Sequence, residues 1–483
     1  MMRERDIIRR LIAHSEGGPL PHGTTRQIHI ASDEDLLILA FVRMGGESRP
    51  WGIAFGHPGE DPEILAVPEG RNRDLVARMC STFAPALLRH LRTPGFVDRP
   101  PTEQDELGPL RQVWLPNGSH ADMLHHLAFA YTFTRWGADP EATLNPLGRA
   151  AGWLFQEAQR PGQQHVITAT GALRTSYTFP AQSTRLEHLG FLLAWLDPEL
   201  APGERLAAAG EAEALAVSTT LDPVLERTRI EDPLDDWHDA RNEGDAPRER
   251  ANASAITRVL EEELGRRYRL TAQAISRLRA DARRTNQGVA QLVDAALAEQ
   301  WHGHTRRELF GVGEDDGRSF APSPETDRDP AAAGARYMGH LASASFAASV
   351  LLHDDEELQH EAIARGDGFR GTIAGIRPRR VGRWIRSMLT IQDADPGPLR
   401  LREGSWVCEI GSPESKGTIL AVRTESDGRR TFEVELHRQS TPSVGSEIGF
   451  VESSDHHLSR RKSHLIWSDE EPGSWLTHAH PDE

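Results

Sequence analysis

The chain has 483 residues, 38% of them hydrophobic and 26% charged, and a formal net charge of -17 at pH 7. That length exceeds what one hydrophobic core usually organises and predicts about two to four domains. The acidity excludes general adhesion of the whole surface to nucleic acid, so the placement of cations matters more than their total. Cys80 and Cys408 are the only cysteines, which excludes a disulfide framework and a Cys-x-x-Cys metal site and predicts two small buried apolar side chains.

No stretch reaches the roughly 20 uninterrupted apolar residues of a membrane helix. The most apolar helix-like window, 331–352, is broken by Arg336 and His340. The opening Met1-Met2-Arg3-Glu4-Arg5-Asp6 has no apolar signal core, so a cytoplasmic protein is expected, with no membrane partner.

In chain order, an amphipathic helix is predicted over 5–14, then an alternating segment at 26–30 and the apolar run 36–42. Segments 51–55 and 64–67 follow, bounded by Gly and Pro as strands are. Leu75, Val76, Met79, Phe83, Leu87 and Leu91 recur at steps of three and four and predict a helix over 73–91. The stretch 94–107, rich in Pro, Asp and Glu, reads as a linker.

Residues 110–230 read as mainly helical. One helix is expected over 120–136 with Ser119 as its cap, and another from Asn145-Pro146 to Gln159. Further helices are expected near Leu173, at 181–195 and at 202–217. The acidic stretch 231–245 reads as a solvated connector. Ile256, Leu260, Leu264, Tyr268, Ile275 and Leu278 then mark a long helical seam. A partner helix is predicted over 287–309, a flexible linker over 311–330 and an Ala-, Ser- and Gly-rich helix over 331–352.

From Phe369 the pattern becomes short strands, at 369–376, 383–391, 405–410, 417–423, 431–436 and 447–451. Half a dozen such strands suggest a small closed barrel or sandwich, and Asp427-Gly428 signals a hairpin. The expected class is therefore α+β and multidomain: an N-terminal α/β unit, a largely helical middle and a C-terminal small β-barrel. The expected divisions are 1–105, mixed α/β; 106–230, helical; 231–365, helical with acidic and Gly/Pro-rich linkers; 366–470, an OB-like or SH3-like barrel; and 471–483, a tail.

The leading functional signal is the basic entry to that barrel. Arg365, Arg370, Arg377, Arg379, Arg380, Arg383 and Arg386 are opposed there only by Asp367, with Trp384 among them and Trp406 following. A phosphate backbone requires dispersed cationic donors, and unstacked bases require aromatic faces. Arg370, Arg377, Arg379, Arg380, Arg383, Trp384, Arg386 and Trp406 are accordingly the candidate nucleic-acid-binding residues. The competing reading is a solvated face, or a docking surface for an acidic protein. Lys416 and Lys462 are the only lysines, so arginine is this chain's default cation.

The phrases Gly371-Thr372-Ile373 and Leu401-Arg402-Glu403-Gly404-Ser405-Trp406-Val407, with the strand order around them, resemble oligonucleotide/oligosaccharide-binding barrels and the small barrels attached to helicases. The resemblance covers about 85 residues of the chain and rests on pattern. It implies a binding groove over the second and third strands, holding Arg383, Trp384 and Arg386.

A secondary basic patch is Arg266, Arg269, Arg277 and Arg284, whose alternative is an arginine-rich face paired with Glu261 to Glu263. Arg460-Arg461-Lys462, near His456, His457 and His464, reads as an exposed tail. Gly411 to Thr418 is not a phosphate loop, because Lys416 precedes Gly417 and strands flank it. His353-Asp354, His238-Asp239 and the Glu357/His360 pair lack companions at metal-ligand spacing, and His120, His125 and His126 read as packing residues. No metal and no cofactor is expected, and no catalytic residue is assigned.

The expectation is a non-enzymatic, nucleic-acid-binding accessory subunit of a bacterial-type DNA- or RNA-processing assembly, such as a repair or antiviral defence complex. Its partners would be DNA or RNA and other protein subunits, with a helicase or nuclease among them. The alternatives are a scaffold docking a partner enzyme, and a metal-dependent hydrolase using His238, Asp239, His353 and Glu357.

Overall fold

A computed structural model describes residues 4–92, 108–132, 142–181, 183–305, 330–393, 397–426, 428–437 and 442–453. The expected linkers at 94–107 and 311–330 and the C-terminal tail lie outside these residues, apart from Pro330. The chain divides into two units. The first draws on 1–22, 28–282 and 293–327, the second on 23–27, 283–292 and 328–483.

The first unit opens with α1 (Glu4–Glu16), β1 (Leu20–Pro21), β2 (Leu36–Val42), β3 (Gly52–Gly56), β4 (Glu63–Ala66) and α2 (Arg73–Leu91). Next come β5 (Gln112–Leu115), α3 (Gly118–Tyr131), α4 (Leu144–Gln159), β6 (Val166–Thr168), α5 (Ala169–Ser176) and β7 (Tyr177–Thr178). Helices α6 (Leu189–Trp195), α7 (Pro202–Glu213), α8 (Pro223–Glu226), α9 (Asp232–Glu243) and α10 (Ala246–Arg279) follow, and α11 (Gly288–Thr305) runs from the second unit into the first.

Strands β4-β3-β2-β5-β6 form one mixed sheet, with β2, β5 and β6 parallel and the β4-β3-β2 meander antiparallel. All seven residues of β2 are buried, because both faces of the sheet are covered. Leu36, Ile38 and Ala40 pack with Leu260, Leu264 and Tyr268 of α10. Leu37, Leu39 and Phe41 pack with Val76, Phe83 and Leu87 of α2. A strand buried on both faces reads as a continuous apolar run, as β2 does.

Helix α2 matches its periodicity. The Asn72 side chain caps it by accepting from the amides of Asp74 and Leu75. Pro85 stands inside it and cannot bond the carbonyl of Ser81. The Thr143 hydroxyl donates to that carbonyl instead, at 3.4 Å.

Three expectations change here. The division at 105 does not separate folding units, since β5 and β6 complete the sheet begun by β2 to β4. These two strands were hidden in a region read as helical, being only four and three residues long. Asn117, not Ser119, caps α3, accepting from the Ser119 amide. The supposed connector 231–245 is largely the helix α9, and its Trp237 is 3% exposed in the core. Acidic charge and proline in its first turn suit a helix N-terminus, and Gly244 closes it at φ 76°.

The second unit contains α12 (Pro330–Leu352), α13 (Glu356–Arg365) and six strands: β8 (Gly368–Val381), β9 (Trp384–Asp393), β10 (Trp406–Glu409), β11 (Ser412–Thr424), β12 (Arg430–Leu436) and β13 (Glu447–Glu452). The strands close an antiparallel barrel in the order β10-β11-β12-β9-β8-β13. Phe369, Ile373, Leu389, Ile391, Ile419, Phe432, Val434 and Phe450 fill it, with Phe369 and Phe432 stacked at 3.7 Å between ring centroids. The class is thus α+β, with an N-terminal α/β part, a helical middle and a closed C-terminal barrel. An oligonucleotide-binding barrel has five strands and is partly open; this one has six and is closed. The second and third strands, β9 and β10, are not neighbours, since β12 and β11 lie between them. The groove implied by the resemblance therefore does not form over them.

Asp355 ties the second unit together. Its Oδ2 accepts from the amides of Thr24 and Thr25 and from the Thr25 hydroxyl, at 2.9, 3.0 and 2.9 Å. Its Oδ1 caps α13 through the amides of Glu357 and Leu358. Gly23, at φ 81°, lets the chain pass so close that a Cβ there would meet Asp355 Oδ2 at 2.7 Å. Among the described residues, no helix is long and apolar enough to cross a membrane.

Two measurements check this packing. Trp237→Ala is expected to cost about 3–5 kcal/mol in chemical denaturation, whereas a solvated connector would change stability by under about 0.5 kcal/mol. Asp355→Asn is expected to cost about 2–3 kcal/mol near neutral pH, because it removes charge from a many-donor acceptor. Burial alone would raise the Asp355 pKa, but the donors from Thr25, Leu358 and Thr24 outweigh it and leave it lowered from 3.8. Its stabilisation is therefore full above that value and disappears as pH falls through the lowered one. The gap between wild type and Asp355→Asn should be complete at about pH 6 and should narrow as pH falls through the lowered Asp355 value.

Candidate nucleic-acid interface

The basic entry to the barrel is one β-hairpin. Strand β8 pairs with β13 only from Gly368 to Thr372, and β9 with β12 only from Met388 to Gln392. Pairing between β8 and β9 continues beyond both, through Pro378↔Ser387, Arg379↔Arg386, Arg380↔Ile385 and Val381↔Trp384. These four pairs span about 14 Å at the antiparallel rise. Among the described residues no further strand flanks them, so they form a two-stranded ribbon.

The turn holding this register is Gly382-Arg383. Gly382 has φ 59° and a Cβ there would meet nothing within 4 Å, so backbone conformation rather than space calls for glycine. A two-residue turn with positive φ at its first central residue matches the twist of the flanking strands.

Directly paired residues share a face. One ribbon face, continuous with the barrel exterior, presents Arg377, Arg379, Val381, Trp384, Arg386 and Met388. The other presents Pro378, Arg380, Ile385 and Ser387. Trp384 and Ile385 are each 61% exposed at the tip. The Arg383 guanidinium lies 5.0 Å from the centroid of the Trp384 ring, near enough for cation–π attraction.

The exterior face carries its own counter-charges. Arg377 pairs with Glu433 at 3.0 Å, while Arg379 and Arg386 pair with Glu435 at 3.1 and 2.7 Å. Arg423 also reaches Glu433, at 3.4 Å. These two glutamates were not foreseen, although Glu433-Val434-Glu435 on a strand puts two acids on one face. Arg380 and Arg383 stand at the tip, away from this lattice. The one hydrogen bond described for the Arg380 side chain goes to the Gly382 carbonyl at 3.4 Å.

Trp406 shares the exterior through the row Trp406↔Thr418↔Glu435↔Met388↔Arg377. It is 47% exposed and meets the ring of His437 edge-on at 5.3 Å. Arg370 does not join this group. It lies at the start of β8 and donates to Gln359 of α13 at 2.8 Å.

Of the secondary patch, Arg266, Arg269 and Arg277 lie on α10 in the first unit. Arg266 pairs with Glu263 at 2.6 Å, and Arg277 lies 3.8 Å from Asp197. Arg269 is exposed beside them. Arg284 belongs to the other unit, where it pairs with Asp354. The neighbouring Arg267 is fully buried on Glu263, and burial pushes its pKa down to about 10. Arg266 and Arg267 also donate to the carbonyls of Ala216 and Ser218, tying α10 to that loop.

Among the described residues no group of three or more His, Cys, Asp or Glu side chains could hold an ion. His238 faces Glu69 in the first unit at 3.4 Å. His353 sits in the second unit, 3.6 Å from the buried Cys408 sulfur, whose pKa burial pushes up to about 11. His120 is a core residue: its Nδ1 accepts from the Phe41 amide and its Nε2 donates to the Val217 carbonyl. An open cleft of about 440 Å³ lined by Thr24, Arg284, His353, Asp354, Glu356 and Gln359 is polar and contains the Arg284–Asp354 ion pair.

Comparison with protein-family models, curated proteins and solved structures gives no match. The site is therefore defined by its own geometry.

The Gly382→Val variant tests that geometry. A β-branched residue at positive φ is expected to destabilise the ribbon locally by about 1–2 kcal/mol. Amide exchange should accelerate over 377–388 while the global unfolding midpoint stays nearly fixed; uniform acceleration would contradict an independent ribbon.

Proposed function

We propose that the chain is a nucleic-acid-binding accessory subunit whose C-terminal barrel presents the β8–β9 ribbon to a phosphate backbone. The observation that carries this is the exposed tip, where Arg383 lies over Trp384 and Arg380 stands on the other face, both away from the Glu433 and Glu435 pairs. Guanidinium groups neutralise phosphates and release counterions, so affinity should fall steeply with salt. The overall charge of -17 confines such binding to a local basic surface. Other protein subunits, a helicase or nuclease among them, would supply the chemistry in a repair or defence assembly.

A second reading, a docking surface for a partner protein, draws on the exposed apolar pair Trp384 and Ile385. Exposed aromatic anchors are also what protein interfaces bury. Salt dependence separates the two, since an apolar interface weakens little as salt rises.

The test is charge reversal at Arg379, Arg380 and Arg383. The triple variant Arg379→Glu, Arg380→Glu, Arg383→Glu is expected to lose retention of a labelled oligonucleotide, by at least about 100-fold if each contact contributes about 1 kcal/mol or more. Unchanged retention overturns the proposal.

A further inference from the structure

We infer that the ribbon enters the major groove of double-stranded DNA and that single strands are not its preferred ligand. This rests on the nucleic-acid reading above and goes further by naming the ligand's form.

A single-strand platform requires neighbouring aromatic faces, since successive bases follow at about 3.4 Å along a stacked strand. The two exposed indoles do not provide one. Trp384 lies on β9 and Trp406 on β10, with β12 and β11 between them. Three strand spacings of about 4.8 Å place them about 14 Å apart across the sheet. Trp384 also lies four residues along β9 from Met388, the residue in Trp406's transverse row. That adds about 13 Å along the strand, for a separation near 19 Å. The Trp384 ring is further engaged by the Arg383 guanidinium.

The ribbon instead suits a duplex groove. The major groove of B-form DNA is about 12 Å wide and 8.5 Å deep and admits a two-stranded ribbon. Four residue pairs without flanking strands project about 14 Å, enough to reach the groove floor while the barrel stays outside. Cations stand on both faces, with Arg377, Arg379 and Arg386 on one and Arg380 on the other, so each groove wall meets positive charge. Glu433 and Glu435 compete for the first three, leaving Arg380 and Arg383 the least encumbered. At the tip Trp384 or Ile385 can contact a thymine methyl group, while Arg380 and Arg383 meet the phosphates of the groove walls. A-form duplex RNA is excluded, because its major groove is deep and too narrow for side chains to read.

The test measures the full chain by fluorescence anisotropy against a 20-base-pair DNA duplex, one of its separated strands, and the RNA duplex of the same sequence, as a salt series. The expected result is at least about tenfold tighter binding of duplex DNA than of either competitor, each mismatch of form forfeiting groove contacts. In Arg380→Ala/Arg383→Ala the duplex affinity should fall and the log–log salt slope should flatten by about two, roughly one per lost phosphate contact. Trp384→Ser/Ile385→Ser should narrow the duplex advantage with the slope unchanged. Equal or tighter binding of the single strand or RNA duplex overturns the inference and leaves the parent reading standing. A duplex advantage that survives both tip variants also overturns it, since another surface then reads the groove. Absence of binding to all three probes removes the parent reading itself.

Discussion

Backbone pairing between β8 and β9 outlasts every strand beside it, and the functional reading depends on that excess. Inside the barrel, register is fixed by the packing of Ile373, Leu389 and Ile391. Past the barrel no core enforces it. There the turn at Gly382 and the pairs Pro378↔Ser387 to Val381↔Trp384 hold it. A slip of one residue would exchange the two faces and detach Arg379 and Arg386 from their shared glutamate. The ion pairs to Glu433 and Glu435 thus anchor the ribbon's register as well as tempering its charge.

That tempering gives the surface a graded character. The Arg377–Glu433 pair is largely exposed on its arginine side and individually weak, about 0–1 kcal/mol. Glu435 is buried, so Arg379 and Arg386 are held more firmly, because freeing them would leave its carboxylate unpaired. The tip arginines remain outside the lattice. In a chain of net charge -17, such a surface binds locally and leaves the rest of the molecule repelled by polyanions.

Much of this architecture could be read from the sequence. The strands of the barrel followed from alternation punctuated by Gly, Pro and Asp, and α2 and α10 from apolar residues recurring on one face. Strands β5 and β6 escaped because such short apolar words between helices carry no periodicity, and their partners lie far away in sequence. Helix α9 escaped because its acidic composition outweighed its capping signals; the burial of Trp237 decides the matter only in three dimensions. At the site, the arginines and Trp384 were legible as residue types. Their arrangement was not, because the ribbon exists only where β12 and β13 stop pairing, and Glu433 and Glu435 meet the arginines only through the β9–β12 register. Arg370, close to the others in sequence, was lost to Gln359 for the same reason.

Hydrogen exchange of the full chain, with and without saturating nucleic acid, tests the central claim most directly. Contact through the ribbon slows exchange across 376–388 and leaves the arginine-bearing stretch of α10 unchanged. Slowed exchange on α10 or elsewhere, with 376–388 unaffected, contradicts it.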